Sequence, residues 1–178
     1  PYQIRPERRP METNNTTTSN GVHNAHAKDN AAKIVFGDPV LCAQFLKGYT
    51  DIPLFKEIKP EDIENVSSHF LPLFQESRDS DTVNKIRIGN SEIYLIALIE
   101  HQSENDFDMS FRILRYIVFI WTDYAAQQEK LHKGITKSKA FLYPPILPIV
   151  YYEGTSTWSA PLNFKDRVFL SDAFGDYI

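Results

Sequence analysis

Apolar residues recur at two periods along this chain, and the change from one to the other marks out its elements. From position 29 the spacing is helical. Ala32, Val35, Phe36, Val40, Leu41, Phe45 and Leu46 recur around a Gly37-Asp38-Pro39 break, which predicts two helical pieces with a cap between them. Residues 59–66, KPEDIENV, read as a solvated connection, and 67–76, with His69, Phe70, Leu71, Leu73 and Phe74, as a first strand. Residues 81–88 alternate in the manner of a half-buried strand, Gly89-Asn90 is a short turn, and 92–99 (EIYLIALI) returns, so the two runs form a hairpin. The returning arm is apolar at every position from Ile93 to Ile99, the pattern of a central strand covered on both faces, and this requires helices on each side of the sheet.

A long helix follows over 106–130, with Met109, Ile113, Leu114, Ile117, Val118, Trp121, Tyr124 and Ala125 on one broad stripe. Asp106 and Asp108 suit its N-terminus, where short acidic side chains cap free amides and meet the positive end of the helix dipole. Residues 132–140 are polar and basic, a loop, and 146–152 form a proline-delimited strand closed by a glycine turn. The run 166–178 stops inside what reads as ordered sequence, so the chain is expected to be a truncated piece of something longer. Residues 1–27 are rich in Pro, Asn, Thr and Arg and lack apolar periodicity; they read as a disordered leader, with Met11 a candidate natural start, ahead of one domain over 28–178.

Composition narrows the reading. With 178 residues, 42% hydrophobic and 24% charged, the chain can bury one substantial core. The net charge of −4 supplies no overall positive field for nucleic acid or anionic lipid, so any such binding relies on a local patch or a metal ion. Cys42 is the only cysteine, which excludes an internal disulfide and a thiolate zinc cluster and fits a small buried thiol. His69 has no second histidine at ligand spacing and reads as a packed, satisfied residue. No apolar run approaches the ~20 residues of a membrane span and no hydrophobic signal region opens the chain, so the N-x-Thr patterns at Asn14 and Asn15 are chance and the expected location is the cytoplasm, with no membrane partner.

The chemistry-bearing residues gather where the apolar arm ends in Glu100, His101 and Gln102, three groups that cost free energy to desolvate. Strand alternation puts Glu100 and Gln102 on one face and His101 on the other. Asp81 opens the partner strand, and pairing through the Gly89-Asn90 turn brings it beside the end from which Glu100 emerges. Two carboxylates and an amide converging there are oxygen ligands of the kind that suit a hard cation, Mg²⁺ or Mn²⁺. From spacing alone the plainer reading, acidic residues merely solvated at strand ends, stays open.

The stretches RDSDTVNKIRIGNSEIYLIALIEHQSENDFDMSFRILRYIVFIWTDY and YPPILPIVYYEGTSTWSAPLNF resemble the recombination-promoting nuclease and transposase-like family, a bacterial branch of the PD-(D/E)XK nuclease superfamily. LIEHQS, the MSFRILRY helix start and the LPIVYYEG strand carry the similarity most specifically, and it runs from about residue 28 to the end. The resemblance implies an α/β fold, a three-layer α/β/α restriction-endonuclease-like core with a mixed sheet in the order αβββαβ. It also implies a catalytic signature of Asp81, Glu100 and Gln102. The expected activity is metal-dependent hydrolysis of DNA phosphodiesters linked to recombination or mobile elements, with Asp81, Glu100 and the His101 carbonyl holding Mg²⁺ (or Mn²⁺) and Gln102 placing the water.

The wider superfamily normally has lysine where this chain has Gln102. A neutral amide can orient a water but brings no charge. Lys85 shares Asp81's face by strand parity and is a candidate for the missing charge. Arg112 and Arg115, or the loop with Lys130, Lys133, Lys137 and Lys139, are candidates for contacts to the DNA backbone, against the simpler reading of a solvated helix face or loop. Asp29 matches a position where relatives often carry an acid, though an N-cap of the first helix is the preferred reading. The absent lysine leaves a rival from another class, a non-catalytic nucleic-acid- or protein-binding module that keeps the nuclease fold. The sequence carries no signature of oligomeric state.

Overall fold

The computed structural model describes residues 33–70, 81–100, 105–152 and 156–175, with 98–100 as backbone only. The expectations for residues 1–27, for Asp29 and for the chain end at 176–178 lie outside these.

Helical residues 33–37 (α1) lead directly into α2, Pro39–Tyr49. The break is chemical. Asp38 Oδ1 accepts the amides of Val40 (2.8 Å) and Leu41 (3.0 Å), and Pro39 occupies the first turn, where its missing N–H costs nothing. The strands are β1 (Ile63–Asn65), β2 (Thr82–Ile88), β3 (Ser91–Glu100) and β4 (Ile146–Tyr152), in the spatial order β1-β2-β3-β4. β1 and β2 pair antiparallel, as do β2 and β3, whereas β3 and β4 are parallel, so the sheet is mixed. The β2–β3 hairpin closes at the Ile88–Ser91 pair through Gly89, whose φ of 59° is the left-handed conformation such a turn requires.

A parallel neighbour needs a crossover, supplied by the long helix Met109–Leu131. A single helical turn, Ser67–Phe70, sits between β1 and β2 (α3), the long helix is therefore α4, and a last turn, Ser171–Phe174, is α5. Strand alternation divides the core in two. On one face Ile86, Ile93, Leu95 and Ala97 pack with Phe36, Cys42, Ala43 and Leu46 of α1 and α2; on the other Val83, Tyr94 and Ile96 pack with Met109, Tyr116 and Ile120 of α4. The result is a three-layer α/β/α architecture in the order αβββαβ, compatible with a restriction-endonuclease-like core. β3 is the central strand covered on both faces.

The first strand is not at 67–76. It is Ile63–Asn65, inside the stretch that reads as a connection, and Ser67–Phe70 is helical. The reason is local hydrogen bonding. Asn65 Oδ1 accepts the Ser67 amide (3.0 Å), and Ser67 Oγ accepts the Val83 amide (2.9 Å), so the chain turns off the sheet after Val66. The remainder of 67–76 lies outside the described residues.

The buried stripe of α4 is also rotated from the expected one. Met109, Arg112, Tyr116 and Ile120 face the sheet, while Val118 (53% exposed) and Trp121 (37%) face outward. Because α4 is apolar around most of its circumference, polarity alone did not select the inner face.

Candidate functional site

Asp81 immediately precedes β2. The hairpin register pairs Thr82 with Ala97, so Asp81 stands across from position 98, and Glu100 is two positions further on the same side of the pleat, roughly 7 Å along β3. Glu100 is the last residue of β3, and its backbone pairs with Tyr152 of β4. Its side chain, and the whole of His101 and Gln102, lie outside the described residues.

Asp81 is a buried carboxylate, 1% exposed. Burying such a charge unaccompanied is prohibitive, and the structure answers it with two donors from α4. Arg112 Nη2 donates to Asp81 Oδ2 at 2.8 Å and the Tyr116 hydroxyl donates to the same oxygen at 3.1 Å. Arg112 and Tyr116 are four residues apart, one helical turn, which places both over the head of β2. The second arm of Arg112, Nη1, donates to Asp106 Oδ2 at 3.0 Å, and Asp106 Oδ1 accepts the Asp108 amide at 2.8 Å. Asp108, at the N-cap position of α4, makes no side-chain cap bond, so the acid that organises this helix start is Asp106.

The charges follow from these contacts. Burial alone pushes the Arg112 guanidinium toward neutrality, but the Asp81 and Asp106 carboxylates outweigh it and hold its pKa above the ordinary arginine value. Burial, with the Asp81 charge behind it, pushes the Tyr116 phenol up as well, so it remains a protonated donor. Two further buried hydroxyls flank the site, Thr82 Oγ1 and Ser110 Oγ, neither with a partner among the described residues. A polar, tightly held end of the sheet is the setting in which a carboxylate oxygen can serve as a hard-cation ligand, and the donor set Asp81, Glu100 and the His101 carbonyl fits Mg²⁺ or Mn²⁺ by ligand type. Among the described residues no three His, Cys, Asp or Glu side chains cluster at metal-binding distance, so any such site needs ligands from 98–104.

The other sequence candidates fall elsewhere. Lys85 is four residues along β2 from Asp81, roughly 13 Å away, and its ammonium lies 3.7 Å from both Glu64 and Glu92, which neutralise it. Arg112 is not presented to solvent; it is the buried partner of Asp81. Arg115 is half-buried on the outer side of α4, beside Phe111, Leu114 and Val118 in a shallow groove of about 360 Å³. Lys130, Lys133, Lys137 and Lys139 are exposed at the opposite end of α4, about 27 Å from Arg112 along the helix. His69 is half-exposed and bonds Asp123 at 3.1 Å. Sequence reasoning missed Tyr116 and the second role of Asp106. The available signal was Arg112 and Tyr116, two polar residues one turn apart on an apolar helix that had to cover the strand opened by Asp81.

The model of a family described as "Putative transposase, YhgA-like" matches residues 26–178. This chain belongs to that family. Among curated proteins, the YhgA-like chain is 26% identical over 130 residues to the inactive recombination-promoting nuclease-like protein RpnE of Escherichia coli (strain K12), covering 72% of the chain and 40% of that relative. It is 25% identical over 127 residues to the recombination-promoting nuclease RpnC of the same strain (69% and 39%). It is 22% identical over 120 residues to the recombination-promoting nuclease RpnD of Escherichia coli O157:H7 (64% and 42%). The chain thus spans about two-fifths of the length of these relatives. No solved structure gives a significant match. No helix among the described residues is long and apolar enough to cross a membrane.

Proposed function

We propose that this YhgA-like domain is a metal-dependent DNA endonuclease that hydrolyses phosphodiester bonds. One observation carries the reading: Asp81 is buried and oriented by Arg112 and Tyr116 at the head of β2, beside the end of β3 that leads into Glu100, His101 and Gln102. Membership in a family with nuclease-named relatives supports it.

In this account Asp81, Glu100 and the His101 carbonyl hold Mg²⁺ or Mn²⁺, which when bound supplies charge neutralisation and an acidified water. Arg112 and Tyr116 fix the rotamer of Asp81 by bonding one of its oxygens. Gln102 accepts from and donates to the attacking water, setting its direction without adding charge. Backbone phosphates of DNA meet Arg115 or the lysines beyond α4.

The test is conversion of supercoiled plasmid to nicked circles in Mg²⁺ or Mn²⁺. Wild type nicks, and Asp81→Asn and Glu100→Gln each lose at least about 100-fold, the scale of removing one electrostatic element of a site. Equal nicking by wild type and Glu100→Gln overturns the proposal. A second reading, a non-catalytic binding module, is favoured by Gln102 in place of lysine and by the relative that is named inactive. It requires DNA retention by wild type and Glu100→Gln alike, with no nicking by either.

A further inference from the structure

Resting on the proposed metal site, we infer that Arg112 is an internal counter-ion that competes with the divalent cation for Asp81 and so sets how tightly the site takes metal. Three observations lead there. The guanidinium is charged, largely buried, and 2.8 Å from the carboxylate oxygen that heads β2. It is divided between two acids, Asp81 and Asp106, so its hold on Asp81 depends on what Asp106 takes from it. Lys85, the other cation on Asp81's face of β2, is answered by Glu64 and Glu92 and plays no part at this end of the strand.

A like charge beside a metal ligand weakens cation binding by direct repulsion, and the effect is large where water is excluded. Arg112 therefore does two things in sequence. In the metal-free protein it makes the burial of Asp81 tolerable. As the cation arrives, Arg112 shifts its weight onto Asp106 while Tyr116 keeps Asp81 oriented. A merely structural tie between α4 and β2 would make every disruption of the network weaken metal binding. A counter-ion makes two disruptions act with opposite signs.

The experiment is calorimetric titration with Mn²⁺ of wild type, Asp81→Asn, Arg112→Met and Asp106→Asn, with circular dichroism to verify folding. Wild type binds one Mn²⁺ and Asp81→Asn does not. Arg112→Met binds about tenfold more tightly, because the competing charge is gone. Asp106→Asn binds several-fold more weakly, because Arg112 then rests on Asp81 alone. Arg112→Met binding as wild type or weaker overturns the inference while the metal site stands. Absence of any Asp81-dependent binding in wild type sinks both. Should Arg112→Met fail to fold, Asp106→Asn decides, and unchanged or tighter binding overturns the inference.

Discussion

Removing the Arg112 guanidinium tests the energetics of the site without any ligand. In Arg112→Met the aliphatic stem survives, so packing against the sheet is largely kept and the change isolates the charge. The carboxylate left behind is 1% exposed and the guanidinium it loses is 10% exposed, so neither has water to fall back on. Removing one partner of a buried pair costs about 3–5 kcal/mol, and the surviving Tyr116 bond to Asp81 argues for the lower end, about 3. With a urea m-value of about 2 kcal/mol/M, the midpoint falls by about 1.5 M. Lys59→Met is the control: its pair with Glu61 is 4.0 Å long with both side chains about 70% exposed, and its loss is worth less than about 0.5 kcal/mol. The assay is urea unfolding by far-UV circular dichroism in EDTA. The double variant Asp81→Asn/Arg112→Met loses less than the sum of the two single losses, because the second change removes the charge the first one stranded. A loss below about 1 kcal/mol for Arg112→Met, or strict additivity, refutes the reasoning.

Leu95→Ala, at a fully buried position of the central strand, costs about 2–5 kcal/mol, whereas Val118→Ala on the outer face of α4 stays within about 0.5, and calorimetric melting separates them. Asn84→Ala strands the Phe36 carbonyl, to which its amide donates at 2.7 Å in the core, and lowers urea stability by about 1–3 kcal/mol. Burial, with the Asp38 charge second, raises the Cys42 thiol from 9.0 to about 12, so folding opposes its ionisation. The unfolded chain then sheds this proton first, and the thiol's contribution is intact below pH 9 and lost as pH rises toward 12. Relative to Cys42→Ala, wild type therefore loses stability over that interval, and parallel pH profiles of the two refute the assignment.

What the sequence made legible follows from how much each element depends on its own residues. The hairpin and β4 declared themselves because Gly89 and the flanking prolines punctuate runs of unmistakable strand character. The all-apolar run of β3 required cover on both sides, and the three layers follow from that. β1 was invisible for the opposite reason: three residues, IEN, carry almost no period, and what makes them a strand is the neighbouring edge of β2. The face of α4 was misjudged because buried Arg112 and Tyr116 count as polar in any periodic reading, although they face inward to meet Asp81. Asp81 could be singled out from its place at a strand head. Its partners could not, since they come from an element 31 and 35 residues away whose rotation only tertiary packing decides.

The central claim is that Asp81 and Glu100 share a divalent cation, and a crystal grown with Mn²⁺ tests it most directly through anomalous scattering. The account predicts one peak bonded to carboxylate oxygens of both residues at about 2.1 Å, the usual length for a hard divalent ion. A map without a peak between them at saturating Mn²⁺, with Asp81 still held by Arg112 and Tyr116, contradicts it.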